Sequence, residues 1–242
     1  MTNTWQIMSR PACEIADIFR RYGPTFQATY ARFLGPLQLL VLKALAACRT
    51  SRLGGHVLEC KSCGHQKQAY NSCHNRHCPK CQAGLRGKWF EDRQQDLLPV
   101  EYFHVVFTLP SELGALTLQN KAVIYNLLFR ATSETLTEVA AGWKGLKAKI
   151  GFFAILHTWG QKLDFHPHLH CVVPGGGISL DGTRWVSCPR GFLMPVKLLS
   201  RKFRGKFLAL LQQAHGRGEL TLKGSLAPYS SELAFKTWLS PL

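Results

Sequence analysis

The sequence predicts an α+β protein in two parts, a helical and cysteine-rich domain over 1–98 and a domain over 99–242 with helices packed on a mainly antiparallel sheet. Three observations predict it. Residues 11–50 carry apolar residues at helical spacing. A short polar stretch over 53–98 holds two Cys-x-x-Cys pairs. From Tyr102 onward the patterns run strand, helix, strand, strand, helix, the order of a sheet covered by helices.

Taken in order, Ile15, Ile18 and Phe19 share one helical face, as do Phe26, Tyr30, Phe33 and Leu34. Gly23-Pro24 and Gly35-Pro36 interrupt the pattern, each proline placed to open the next helix. Leu37 to Cys48 then reads as one mostly buried helix. A helix from Cys81 to Leu97 closes the cysteine-rich stretch, and Pro99 stops it. Tyr102 to Pro110 reads as a buried strand, followed by a helix from Gln119 to Ala140. Phe152 to Trp159 and His168 to Val173 form a β-hairpin by pattern. Gly175-Gly176-Gly177 reads as a turn, Arg184 to Val186 as a short strand, and Val196 to Gln213 as a basic amphipathic helix.

The charge is lopsided: 30 Lys+Arg against 14 Asp+Glu give +16 at pH 7, with a pI near 9.7. Both parts contribute, so this is no basic tail on a neutral body. A polyanion is the simplest partner, and nucleic acid is the commonest one. No apolar run approaches the roughly 18 residues that span a bilayer, so no membrane partner is expected. The first residues lack a basic-then-apolar leader, which predicts a cytoplasmic protein. In that compartment the nine cysteines read as metal ligands and ordinary thiols rather than disulfides.

Cys60-x-x-Cys63 and Cys78-x-x-Cys81 are two knuckles. Each places two thiolates on one ion, and together they predict a tetrahedral structural Zn²⁺. Cys73, His74 and His77 lie between the knuckles, with His56 and His65 flanking the first, which leaves a second ion open. In the second part, His168 and His170 head a Cys-Val-Val strand. Residues i and i+2 of a strand share a face, so the two imidazoles project side by side and can grip a divalent cation. A hairpin turn near 161–165 sets His157 opposite His170 and Trp159 opposite His168. His157 and His166 are therefore rival third ligands. His104, alone in an apolar strand, reads more readily as a satisfied core residue. Mg²⁺ or Mn²⁺ suits phosphate chemistry at such a site. Cys171 points into the core.

These segments, "YNSCHNRHCPKCQ", "YFHVVFTLP" and "HPHLHCVVPGGG" followed by "DGTRWV", resemble in order those of the HUH transposases of the insertion-sequence ninety-one family. The HUH signature is His168-Leu169-His170 here. The resemblance implies a transposase zinc-binding domain followed by a catalytic palm of antiparallel strands. It also implies metal-dependent nicking and transfer of single-stranded DNA at element ends, through attack by a tyrosine hydroxyl. The family's nucleophile is a pair of tyrosines one helical turn apart, downstream of the HUH strand. The six tyrosines here include no such pair, and only Tyr229 lies downstream. The expectation is a C-terminally truncated chain with an incomplete palm that binds DNA and metal and does not complete strand transfer. The alternatives are a non-enzymatic zinc-ribbon DNA-binding protein and a metal-dependent hydrolase; the scarcity of carboxylates near His168 argues against the latter. Arg76, Lys80, Arg86, Lys88, Lys197, Arg201, Lys202, Arg204 and Lys206 are the expected DNA contacts. Trp159 and Trp185 read as core residues rather than base-stacking platforms.

Overall fold

Helix α1 spans Ile15–Thr29 without a break, although Gly23-Pro24 was expected to end a helix. Proline forfeits one intrahelical N–H bond, and its ring crowds the Cβ of the preceding residue. Gly23 has no Cβ, so that last clash is absent. In this computed structural model residues 13–162 and 164–242 are described, and the chain divides between Leu97 and Leu98 into two compact units.

In the first unit, α2 spans Pro36–Ala47 with proline in its first turn, the position where a missing N–H costs nothing. Strands β1 (Gly55–Glu59) and β2 (Gln66–Tyr70) form an antiparallel hairpin with Gly55 opposite Tyr70 and Glu59 opposite Gln66. Gly64, at φ +68°, lies in the connection between them. Helix α3 spans Pro79–Gln95 and buries none of its residues. The core of this unit is small: Leu45, Cys48 and Cys78 are buried, with Phe19, Val41, Cys73 and Cys81 packed against them.

The second unit opens with β3 (Tyr102–Thr108), α4 (Gly114–Gln119) and α5 (Lys121–Gly142). Asn120 separates the two helices. Its side-chain NH₂ donates to the carbonyls of Leu116 (3.0 Å) and Thr221 (2.9 Å), and its Oδ1 accepts from Thr221 N–H (2.6 Å). Strands β4 (Ala148–Lys149), β5 (Phe153–Trp159), β6 (Phe165–Pro174), β7 (Gly176–Ser179) and β8 (Trp185–Ser187) follow. Helices α6 (Val196–Gly216) and α7 (Glu232–Leu239) complete the unit. Two antiparallel sheets result, ordered β3-β6-β5 and β4-β7-β8.

Gly176 and Gly177, expected in a turn, are therefore in a strand. A Cβ on Gly176 would come within 2.5 Å of the Val186 carbonyl, and one on Gly177 within 2.4 Å of the Lys149 carbonyl. The glycines serve close backbone approach on both sides of β7.

Strand β6 is central and alternates strictly. Leu169, Cys171 and Val173 are fully buried and join Phe107 in a core with Leu128 and Ala131 of α5, Phe203 and Leu211 of α6, and Phe235 of α7. The alternate residues of the sheet face away from that core. They are His104, Val106 and Thr108 of β3, His166, His168 and His170 of β6, and Ile155 and His157 of β5. Val106 and Ile155 are exposed, so one face of the sheet is covered and the other is open. Among the described residues no helix is long and apolar enough to cross a membrane.

Candidate metal centres

Four cysteine sulfurs converge in the first unit, but they are not the four expected. Cys78 and Cys81 meet Cys48 and Cys73, with all four sulfurs within 4.8 Å of one another. The Cys48–Cys81, Cys73–Cys81 and Cys48–Cys78 separations are each 3.6 Å. A tetrahedron of thiolates at about 2.3 Å from zinc has edges of about 3.8 Å, so the cluster fits that ion. Cys48 caps the C-terminus of α2. The next residue, Arg49, at φ +55°, donates its N–H to the Asn71 carbonyl at 3.1 Å, and this bond brings Cys48 beside Cys73. Burial pushes the Cys73 thiol up to about 12. Burial opposes the Cys81 thiolate too, but contacts with Cys48, Cys73 and Cys78 outweigh it and bring that thiol down to about 7.

Cys60 and Cys63 are exposed and stand outside this cluster. The hairpin explains the separation. Its base is tied at Gly54 and Asn71, where Asn71 N–H donates to Gly54 C=O at 3.0 Å. Cys60 and Cys63 sit past the other end, five residues along the strand, roughly 17 Å at about 3.4 Å per residue. Their turn is a knuckle in its own right: Gly64 N–H donates to Cys60 C=O at 2.8 Å and Cys60 N–H to His65 C=O at 2.9 Å. The Ser62 hydroxyl, 3.0 Å from the Cys60 sulfur, and the Cys63 groups bring the Cys60 thiol down to about 6. Spacing alone pairs knuckle with knuckle; nothing in the spacing marked Cys48.

The second cluster lies on the open face of the β3-β6-β5 sheet. His157, His168 and His170 each offer a ring nitrogen, all within 4.8 Å of one another. The observed register sets His157 opposite His168 and Ile155 opposite His170, two residues from the expected pairing. A shift of two keeps side-chain parity, so His157 still shares the face. An irregularity between His157 and Trp159 then pairs Trp159 with Phe165. Trp159, expected in the core, is 51% exposed and stacks on His157 with ring centroids 5.1 Å apart. Trp185 is likewise exposed.

The hydrogen bonds fix how His168 presents itself. Its Nδ1 lies 2.6 Å from the His166 carbonyl. A carbonyl only accepts, so Nδ1 carries a hydrogen, and in the neutral ring Nε2 carries the lone pair. That Nε2 lies 2.9 Å from His170 Nε2. Two nitrogens at adjacent corners of an octahedron, each about 2.1 Å from the ion, are about 3.0 Å apart, so the pair fits a small octahedral cation. Burial and the neighbouring His157, His168 and His104 hold the His170 pKa below its ordinary value, which favours the neutral ligand form. His166 Nε2 is engaged 2.8 Å from the Thr108 hydroxyl. His104, expected as a satisfied core residue, is instead exposed, with Nε2 2.6 Å from His170 Nδ1. The signal for it was present, since it shares strand parity with Val106 and Thr108. Burial pushes the Cys171 thiol up to about 11, so it is inert.

The basic residues divide by what they touch. On α6, Lys202 pairs with Glu138 (2.5 Å), and Lys206 pairs with Glu138 (2.8 Å) and Glu134 (3.4 Å), both on α5. Lys197, Arg201 and Arg204 follow one outward face at helical spacing, exposed and without an ion pair among the described residues. In the first unit Lys80 pairs with Glu14 (2.7 Å), and Arg76 donates to His77 Nε2 (3.4 Å). Arg86 and Lys88 are exposed on α3.

Residues 18–109 match the family described as "Transposase zinc-binding domain", and residues 151–242 match the one described as "Putative transposase". The protein named "Putative transposase y4qJ" of Sinorhizobium fredii is 53% identical over 97% of this chain and 59% of its own length. The transposase for insertion sequence element IS801 of Pseudomonas savastanoi pv. phaseolicola is 35% identical over 62% of this chain and 36% of its own. The chain thus spans less than two thirds of either relative. Among solved structures, the conjugative relaxase TrwC in complex with oriT DNA, in a metal-bound form, overlaps 46% of this chain and 42% of its own. The TM-score there is 0.36 and the identity 19%, a likeness too low to bear on this site.

Proposed function

The chain belongs to the insertion-sequence ninety-one family of HUH transposases, and from that membership we propose that it acts in DNA transposition, holding single-stranded DNA at element ends over a divalent-cation site. The observation that carries this reading is the convergence of His157, His168 and His170 on the open face of a sheet whose other face is core. A Mg²⁺ or Mn²⁺ ion at these nitrogens supplies Lewis acidity to a scissile phosphate. His168 and His170 would hold it through Nε2, with a ring nitrogen of His157 within reach as a third ligand. Lys197, Arg201 and Arg204, with Arg76, Arg86 and Lys88, contact phosphates, while the exposed ring of Trp159 is placed to stack a base. Lys202 and Lys206 serve to hold α6 on α5. Zn²⁺ in the Cys48, Cys73, Cys78 and Cys81 cluster is structural, its four thiolates leaving no open position.

The nucleophile is assigned to none of the second unit's tyrosines. The Tyr102 hydroxyl accepts from Leu98 N–H at 2.8 Å, four residues along β3 from the partner of His170. Tyr229 stacks on Trp238. Tyr125 lies on α5, where burial raises its hydroxyl pKa. On this reading the 242 residues hold the metal half of a nicking site. The test is Mn²⁺ titration and a cleavage assay on single-stranded DNA, with the wild type beside His168→Ala/His170→Ala. We expect Mn²⁺ binding that the double variant loses, and DNA binding without a covalent adduct. Unchanged Mn²⁺ affinity in the variant would refute the site, and a covalent adduct would refute the assignment of the nucleophile.

A further inference from the structure

We infer that His104 is the positioning residue of the histidine site: it accepts a hydrogen bond from His170 Nδ1 and so keeps the His170 Nε2 lone pair turned toward the cation. The inference rests on the divalent-cation reading above and says how this chain keeps one of its ligands in the binding form.

The argument is one of donors and acceptors. A neutral imidazole carries one hydrogen, so a ring that gives Nε2 to a metal must carry its hydrogen on Nδ1. For His168 a backbone carbonyl enforces this, as shown by the 2.6 Å contact to His166. Among the described residues no carbonyl meets His170 Nδ1. Its Nδ1 instead meets His104 Nε2 at 2.6 Å, with the rings 8° from parallel and their centroids 4.8 Å apart. The two residues are diagonal neighbours on one sheet face, since His104 opposes Val172 and Val106 opposes His170.

Unlike a carbonyl, an imidazole nitrogen can donate or accept, so two hydrogen arrangements are open to the pair. In one, His104 donates to His170 Nδ1, and His170 Nε2–H donates to the His168 lone pair across the 2.9 Å gap. In the other, His170 Nδ1–H donates to His104 Nε2, and both Nε2 lone pairs face the same point. Both arrangements hold the same number of hydrogens, and only the second admits a cation. A cation therefore selects the second, and His104 is the acceptor that makes it available. Partners that orient metal-bound histidines in this way are commonly worth 10–100-fold in affinity. His104 is exposed, so replacing it removes no core packing.

The experiment compares wild type, His104→Phe, His104→Gln and the His168→Ala/His170→Ala control. Mn²⁺ affinity is measured by electron paramagnetic resonance. Ring tautomers are read by long-range ¹⁵N–¹H NMR on the metal-free and Mg²⁺-saturated chain. His104→Phe is expected to weaken Mn²⁺ about 10–100-fold and to leave thermal stability unchanged. His104→Gln, whose side-chain carbonyl can accept the same hydrogen, recovers most of the loss. In the Mg²⁺-saturated wild type, His170 carries its hydrogen on Nδ1. If the double variant binds Mn²⁺ like the wild type, the cation site itself is wrong. If the double variant loses Mn²⁺ while His104→Phe keeps wild-type affinity, or His170 carries its hydrogen on Nε2 when saturated, the role of His104 is overturned.

Discussion

Replacing Cys48 by serine removes one of four sulfurs from the cluster with Cys73, Cys78 and Cys81. Structural zinc contributes about 10–16 kcal/mol of folding free energy in small domains. With four thiolates sharing it, one ligand accounts for roughly a quarter, about 3–4 kcal/mol, or about two to three orders of magnitude in zinc dissociation constant. Among the described residues the unit has little else to lean on, because its buried cluster is Leu45, Cys48 and Cys78. Cys60→Ser takes a sulfur from the exposed knuckle at the far end of the hairpin and is expected to leave zinc affinity unchanged. Competition with a chromophoric chelator gives both affinities, and hydrogen exchange on α2 reports the coupled unfolding. Alkylation of the zinc-loaded protein at neutral pH is a second readout: Cys60, its thiol brought down to about 6, reacts first, while the four clustered cysteines are protected. A Cys60→Ser variant that releases zinc, beside a Cys48→Ser variant that keeps it, would restore the pairing of Cys60 and Cys63 with Cys78 and Cys81 and refute this one.

Three further outcomes are expected. Asn120→Ala strips the Thr221 backbone of both side-chain partners in a part-buried setting and costs roughly 1–3 kcal/mol; a urea midpoint equal to wild type would contradict this. Hydrogen bonds from Lys202 and then Lys206 hold the Glu138 carboxyl down at about 2, below its unfolded value near 4.5. That pair's contribution is therefore complete above about pH 4.5 and is lost as pH falls toward 2. Both side chains of the Lys202–Glu138 pair are about half exposed, which limits it to about 0.2–1 kcal/mol. The stability gap between wild type and Glu138→Gln should shrink on acidification, and a gap that grows would have the wrong sign. Finally, neutralising Lys197, Arg201 and Arg204 together should reduce the salt slope of single-stranded DNA binding by about 2. Lys202→Gln with Lys206→Gln should change stability and leave that slope alone; equal slope changes from both sets would erase the distinction.

Much of the second unit was legible. The alternation of β6 follows from its residues, because Leu169, Cys171 and Val173 leave water together and carry His166, His168 and His170 to the other face. The helix α6 was legible for the same reason at a different period. Less legible was which of its lysines are engaged, since Glu134 and Glu138 lie more than sixty residues upstream of Lys202 and Lys206 and only packing of α5 on α6 brings them together. Proline in α1 and glycines in β7 misled because local preference is weak beside a favourable neighbour. Gly23 relieves the ring of Pro24, and the backbones on either side of β7 leave no room for a side chain.

What the sequence determined by itself is the list of groups and their faces: two histidines side by side, a third of matching parity, an α+β order of elements, and a surplus of positive charge. Periodicity carries that information because side-chain direction repeats every two or 3.6 residues whatever surrounds the chain. The tertiary structure decided the partnerships. Cys48 joins Cys73, Cys78 and Cys81 through a backbone bond from Arg49 to Asn71, and His104 meets His170 across two strands. Neither contact has a period, because each depends on where a turn or a register places residues far apart in the chain.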